Sequence, residues 1–245
     1  MSTRTASTVL RGLAYTAAVV AIIAAAAPTA APQPSQPFSE DNAKNLIRGA
    51  LLQYFDAESV LEISASGTVL LGDVLVIEDL LVVGRPVLLR GVRGEVLVQA
   101  AGLHLDMPAL AGRQIRVVIL GKATVVGKST ARDIQEGLAR TSPNILRPTV
   151  RFQVGQFEVA ATIRQEAKLY PALVRGNLTV EQEQRVRVVV TEAQVLGSDV
   201  PRGMIEKELA KLNPVLDLSK WPFNLRIQRL VLHNDTVEVL AASGQ

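Results

Sequence analysis

The sequence predicts an α+β fold: long antiparallel strands packed on two to three amphipathic helices. Three observations predict it. The 245-residue chain is 48% apolar but only 4% aromatic, and its 32 Val and 32 Leu make the apolar mass aliphatic. Such a composition suits extended strands with an aliphatic inner face and excludes intrinsic disorder as the main state. Period-two stretches separated by glycines recur over long segments, which is the pattern of strands and turns. The helical segments are few and do not alternate with single strands, so a parallel doubly wound sheet is disfavoured.

The chain opens with Arg4 and Arg11, then an uncharged run from Gly12 to Ala27, ended by Pro28. Ala25-Ala26-Ala27 offers a small-residue cleavage site, so residues 1–27 have the layout of a secretory signal. Sixteen helical residues reach about 24 Å, short of the ~30 Å hydrocarbon core. A cleaved signal is therefore expected rather than an N-terminal anchor, and the body is expected outside the cytoplasm, in the cell envelope. Residues 28–37 carry four prolines and form an extended spacer. The folded body, a single domain, is expected over 38–245.

The first predicted helix starts after Ser39, a capping residue type, with Glu40 and Asp41 in its first turn. Ala43, Leu46, Ile47, Ala50, Leu51 and Tyr54 recur at helical spacing, widened by Leu52 and Phe55, over four to five turns. From Val60 to Val126 the period changes to two, predicting four to six antiparallel strands, with a turn at Arg93-Gly94, Leu103, Leu105 and Met107 alternating, and Ile115 to Leu120 and Ala123 to Val126 closing the block. A second helix begins at Ser129 or Thr130. Thr130 and Asp133 have capping-box spacing, and Ala131, Ile134 and Leu138 make its apolar face. Val150, Phe152 and Val154 then alternate, and Phe157, Val159, Ala161 and Ile163 alternate in the opposite parity, with a turn or bulge at Gly155-Gln156. Leu178, Val180, Val186, Val188 and Val190 continue the second strand block. A third helix is expected over about Pro201 to Leu212, then a C-terminal hairpin turning at His233-Asn234-Asp235.

Charge and residue chemistry narrow the function. Without its first thirty residues the chain carries 24 Lys+Arg against 23 Asp+Glu, and neither a basic patch nor interleaved aromatics suggests nucleic acid. With no cysteine and two histidines, disulfides, thiolate sites and a zinc centre are not expected, nor is any cofactor. Gly121 and Gly127-Lys128-Ser129 are separated by five residues, where a phosphate loop needs four; the reading favoured is a strand-to-helix turn with a cap. His104 and Asp106 lie on one strand face, but no nucleophile elbow accompanies them, and a solvated polar face is favoured over catalysis. No enzymatic activity is expected. Two glycosylation-type triplets, at Asn177 and Asn234, are treated as chance matches.

Arg185, Arg187, Arg226 and Arg229 form a basic stripe if their strands pair; they are either the solvated face of a sheet, the commoner case, or candidates for lipid headgroups or phosphate. Trp221-Pro222-Phe223-Asn224-Leu225 holds the single Trp; the segment is either a core plug or an apolar lip at a groove mouth.

The C-terminal third resembles the LmeA-like phospholipid-binding family of bacterial envelope proteins. The resemblance rests on the strand Val186–Leu196, Gly197-Ser198-Asp199-Val200-Pro201, a short helix, Asn213-Pro214-Val215-Leu216-Asp217-Leu218, Pro222 to Leu225, and a terminal hairpin. In element order it extends over Leu61 to Leu240. Trp221 and the Pro-rich spacer depart from the family pattern. The resemblance implies an exported or membrane-associated protein that binds phospholipid. Its fold would be a curved antiparallel sheet wrapped on helices, as in tubular lipid-binding (TULIP-type) domains. It implies no catalytic residue.

These observations lead to one expectation and one alternative. The expectation is a non-enzymatic envelope protein that holds acyl chains in an aliphatic groove between sheet and helices. Its groove candidates are Leu46, Ile47, Leu51, Tyr54, Trp221 and Phe223, and its partners phospholipid and the membrane surface. The alternative is a structural or partner-binding module with a closed core. An apolar channel would separate the two.

Overall fold

A computed structural model of the protein describes residues 36–244 except 90, 166–167, 197, 200–202, 204–205, 207–209 and 211–212. Two antiparallel sheets dominate it. The larger contains β1 (Gln36–Pro37), β2 (Leu61–Ser66), β3 (Val69–Leu71), β4 (Val74–Leu89), β5 (Val92–Asp106), β6 (Val117–Thr130), β13 (Leu225–Leu232) and β14 (Thr236–Ser243). Its order is β1-β3-β4-β5-β6-β14-β13, with β2 also paired to β4. The second contains β7 (Ile145–Gln153), β8 (Gln156–Gln165), β9 (Lys168–Glu181), β10 (Arg185–Val195), β11 (Ser198–Asp199) and β12 (Leu216–Asp217). Its order is β11-β10-β9-β8-β7, with β12 also on β10. Three helices are described: α1 (Glu40–Leu51), α2 (Met107–Ala111) and α3 (Ala131–Thr141). The fold is thus α+β and mostly antiparallel strand, as its composition predicts.

The long strands follow from alternation. Along β5, Val96, Val98 and Ala100 are buried, while Glu95, Gln99 and Ala101 face out. The buried phase then shifts by one residue, to Leu103 and Leu105. Gly102 sits at this shift with φ +60°, a conformation that costs glycine little, and Gly121 of β6 lies beside it, where an added Cβ would come 2.8 Å from the Ala101 carbonyl oxygen. β4 makes the same shift, from Leu75 and Ile77 to Leu80 and Val82. The inward residues meet Ala43, Ile47, Ala50 and Leu51 of α1 and Leu110 of α2 in the main core. Each fully buried Leu or Ile contributes roughly 1.5–3 kcal/mol.

α3 follows β6 directly and leads into β7, so it connects the two sheets. Thr130 accepts from the Asp133 amide at 3.0 Å, and Asp133 accepts from the Thr130 amide at 3.2 Å, completing the capping box expected there. Its apolar face, Ala131, Ile134 and Leu138, packs with Val150, Phe152, Phe157 and Leu232 in a second core. The sheets also touch where the β9–β10 turn meets β13: the Ile227 amide donates to the Glu183 carbonyl at 2.5 Å.

Several expectations are corrected. α1 has twelve residues, and Leu52–Tyr54 form a 3-10 turn rather than its continuation. Ser39 stands at the N-cap position, but its side chain makes no capping bond. Arg93-Gly94 lies inside β5; the connection from β4 falls earlier, between Leu89 and Val92. Met107 begins α2, because Asp106 accepts from the Ala109 amide and caps a short helix with Pro108 in its first turn. Val117 to Thr130 is one strand instead of two. Val154 is in the β7–β8 turn and 86% exposed. The predicted signal and the spacer before Gln36 lie outside the described residues, as does most of the third predicted helix, of which Gly203, Glu206 and Ala210 are described and helical. Among the described residues no helix is long and apolar enough to cross a membrane.

Candidate functional site

Three of the six groove candidates are sealed in the core. Ile47, Leu51 and Phe223 are at most 2% exposed, fixed in the main core by β2 and the chain before β13. Leu46, Tyr54 and Trp221 are half-buried against that core. Trp221 packs 6.0 Å from Tyr54 and edge-on to Phe55 at 5.8 Å. Burial pushes the Tyr54 hydroxyl pKa up. Trp221 thus packs on the edge of the main core, with Tyr54 and Phe55 as its ring neighbours.

The four arginines do not make one stripe, because β10 and β13 belong to different sheets. Each also faces a carboxylate. Arg185 is 3.5 Å from Asp217, Arg187 3.0 Å from Glu181, Arg226 3.1 Å from Glu183, and Arg229 2.9 Å from Glu238. These exposed pairs cancel charge locally and leave no positive band. Asp106 is likewise occupied, capping α2 and lying 3.6 Å from Arg116, while His104 stands between Val76 and Ile119 across β5. Gly127-Lys128-Ser129 lies within β6, paired to β14, rather than in a turn, and the strand runs directly into the α3 cap at Thr130. No group of three or more His, Cys, Asp or Glu among the described residues could hold a metal.

An apolar surface appears elsewhere, on the second sheet. The register sets Phe157, Gly176 and Val190 side by side, then Val159 with Val174, Ala161 with Ala172, and Ile163 with Tyr170. Across β10, Val186, Val188 and Val190 share this face, and after the bulge at Thr191 Ala193 and Val195 continue it. Val150 and Phe152 of β7 complete it. The other face is polar: Arg175 bridges Glu158 at 2.8 Å and Glu192 at 2.9 Å.

The apolar face has two regimes. At one end Val186 and Leu178 enter the main core, and Val150, Phe152, Phe157 and Val159 pack with α3. Toward the other end, Ala161, Ile163, Tyr170, Ala172, Val174, Val190, Ala193 and Val195 belong to neither core and are half-buried. α3 is the described helix that packs on this sheet, and it does so along β7. From Gly176 to Tyr170 the strip is about 20 Å long at ~3.3 Å per residue. An extended chain within one bilayer leaflet spans about 15 Å, half the hydrocarbon core.

Sequence reasoning missed this strip. The segment carries no period-two contrast, since Tyr170, Ala172 and Val174 interleave with Leu169, Pro171 and Leu173, which are equally apolar, and only the pairing register shows the face. Two depressions have mixed polar and apolar linings. One, of about 370 Å³, lies over Ser64, Asp79, Gln99 and Lys122 together with Leu80, Leu81, Ala100 and Ala101. The other, of about 310 Å³, lies beside Gln153, Gln156, Glu158 and Arg175. Neither includes a groove or headgroup candidate from the sequence. No protein-family model matches the chain, and no curated protein or solved structure matches it either, so no family assignment brings a function to it.

Proposed function

We propose that this is a non-enzymatic, exported envelope protein that binds phospholipid through its acyl chains. In this reading the chains lie along the open end of the second sheet's aliphatic face, in a TULIP-like arrangement of sheet around helix. The observation that carries it is the continuity of that face: it begins inside both cores and runs on, still purely apolar, past the point where they end. Acyl chains need apolar area without directed polar contacts, and each buried CH₂ contributes roughly 0.8 kcal/mol. The aliphatic composition and the family resemblance of 186–240 support the same reading. The groove therefore moves from the α1 face to β8, β9 and β10.

A fluorescent fatty-acid probe tests it. The wild-type chain takes up the probe, phospholipid displaces it, and Val174→Asn with Val190→Asn abolishes uptake while the fold persists by circular dichroism. No uptake by the wild-type chain overturns the proposal and leaves the closed partner-binding module.

A further inference from the structure

We propose that the β8–β9 hairpin end of the second sheet is the surface that meets an anionic phospholipid bilayer. The inference rests on the lipid-binding reading and locates its contact with the membrane.

Around Arg175 this sheet is apolar on one face and charged on the other, as suits a sheet with one face in water. At the hairpin end that asymmetry weakens. On the strip side stand Ile163, Tyr170 and Val195. On the opposite side, where Arg175, Glu158 and Glu192 lie further along, stand Leu169 and Pro171. Leu169 is 58% exposed. Leu196 is next to them, since its amide donates to the Pro171 carbonyl at 2.9 Å, and it is 61% exposed. Exposed apolar side chains thus stand at this end among cations, Arg164 beside Leu169 and Lys168 on the side of Tyr170, and two leucines at such exposure form a patch rather than scattered apolar residues.

The charges nearby match a lipid surface. Arg164 pairs in register with Leu169, and Lys168 precedes it; both are exposed, and neither has a side-chain partner among the described residues. They differ in this from the four arginines of β10 and β13, each held by a carboxylate. Residues 164–170 carry Arg164, Lys168 and one acid, Glu166, a net +1 by sequence. Leucines at the centre with long cationic side chains beside them is the arrangement of interfacial membrane contacts, where the stems lie along the apolar zone and the heads reach phosphate. The same end opens onto the strip, so a lipid drawn from the bilayer would meet Tyr170 and Ile163 first.

The chain has no cysteine, so single labels can be placed. Leu169→Cys, Leu196→Cys and Val154→Cys, each carrying an environment-sensitive fluorophore, are mixed with vesicles of equal parts phosphatidylglycerol and phosphatidylcholine bearing a lipid-borne quencher. The proposal expects quenching at 169 and 196 and none at 154, the exposed turn at the far end of β8. Arg164→Glu with Lys168→Glu lowers the vesicle affinity reported at 196 by about thirtyfold or more, since each lost surface cation is worth roughly fivefold, two are lost, and the reversed charges add repulsion. No quenching at 169 and 196, or quenching equal to that at 154, overturns it. Probe uptake without vesicles is read separately. Uptake without quenching refutes the membrane end alone; quenching without uptake refutes the acyl-chain reading and leaves the membrane end standing.

Discussion

The ring of Phe157 lies over Gly176, its register partner across the β8–β9 pair: a Cβ on residue 176 would stand 2.8 Å from Phe157 Cζ and overlap the Val189 carbonyl. The glycine leaves the space that the ring fills, at the point where the aliphatic face passes from packed core to open strip. Gly176→Val therefore forces either the ring or β10 to move. Overpacking of this kind costs about 1–3 kcal/mol. Urea denaturation is expected to show a lower midpoint with an unchanged slope, whereas Gly155→Ala, in the neighbouring turn where nothing lies within 4 Å, acts only through its positive φ.

Core and strip are expected to separate by mutation. Ile47→Ala removes a side chain that is 1% exposed and costs about 2–5 kcal/mol of stability. Val174→Asn alters a half-buried residue outside both cores and changes stability by about 1 kcal/mol or less. Thermal melts compared with probe uptake check the pair: Val174→Asn loses uptake and keeps its melt, and Ile47→Ala does the reverse.

The α3 cap makes a local prediction. Thr130→Ala removes both the acceptor for the Asp133 amide and the hydroxyl that donates to the Asp133 carboxylate. A loss of about 1 kcal/mol is expected, read by denaturant titration. Because α3 joins the two sheets, amide exchange is expected to rise first in α3 and β7.

Acid stability depends on Asp217. The Ser219 hydroxyl donates to it at 2.5 Å and holds its pKa below the ordinary 3.8; the Ser219 amide at 3.1 Å and Arg185 act in the same sense. A carboxyl group with a depressed folded-state pKa adds stability above its ordinary value and loses it as pH falls through that value and the lower folded one. Melting temperature is thus expected to fall more steeply below about pH 4 in the wild type than in Asp217→Asn, and to be higher in the wild type at neutral pH.

What was legible in the sequence was what is set locally. The 3.6-residue period gave α1's inward Ala43, Ile47 and Leu51, the three-residue spacing gave the Thr130–Asp133 cap, and alternation around His233-Asn234-Asp235 gave the terminal hairpin. The site was not local. Alternation marks two faces on each strand, but only register decides that Val174 shares a face with Val159 and Ala193 rather than with Glu158. Ile47 and Val174 are equally apolar in sequence; that one is sealed and the other half-buried outside both cores depends on what packs against them. The arginines failed as a set for the same reason, since Arg187 and Arg226 look alike until their strands are assigned to different sheets. Asp106 and Met107 read as a strand continuation because a five-residue helix is too short to show a period.

The most direct test of acyl-chain binding is native mass spectrometry of the purified chain after exposure to phospholipid vesicles. The account predicts a bound phospholipid in the wild type, retained after Arg226→Ala and lost after Val174→Asn with Val190→Asn. A lipid-free wild-type chain, or one whose bound lipid survives the double substitution, would contradict it.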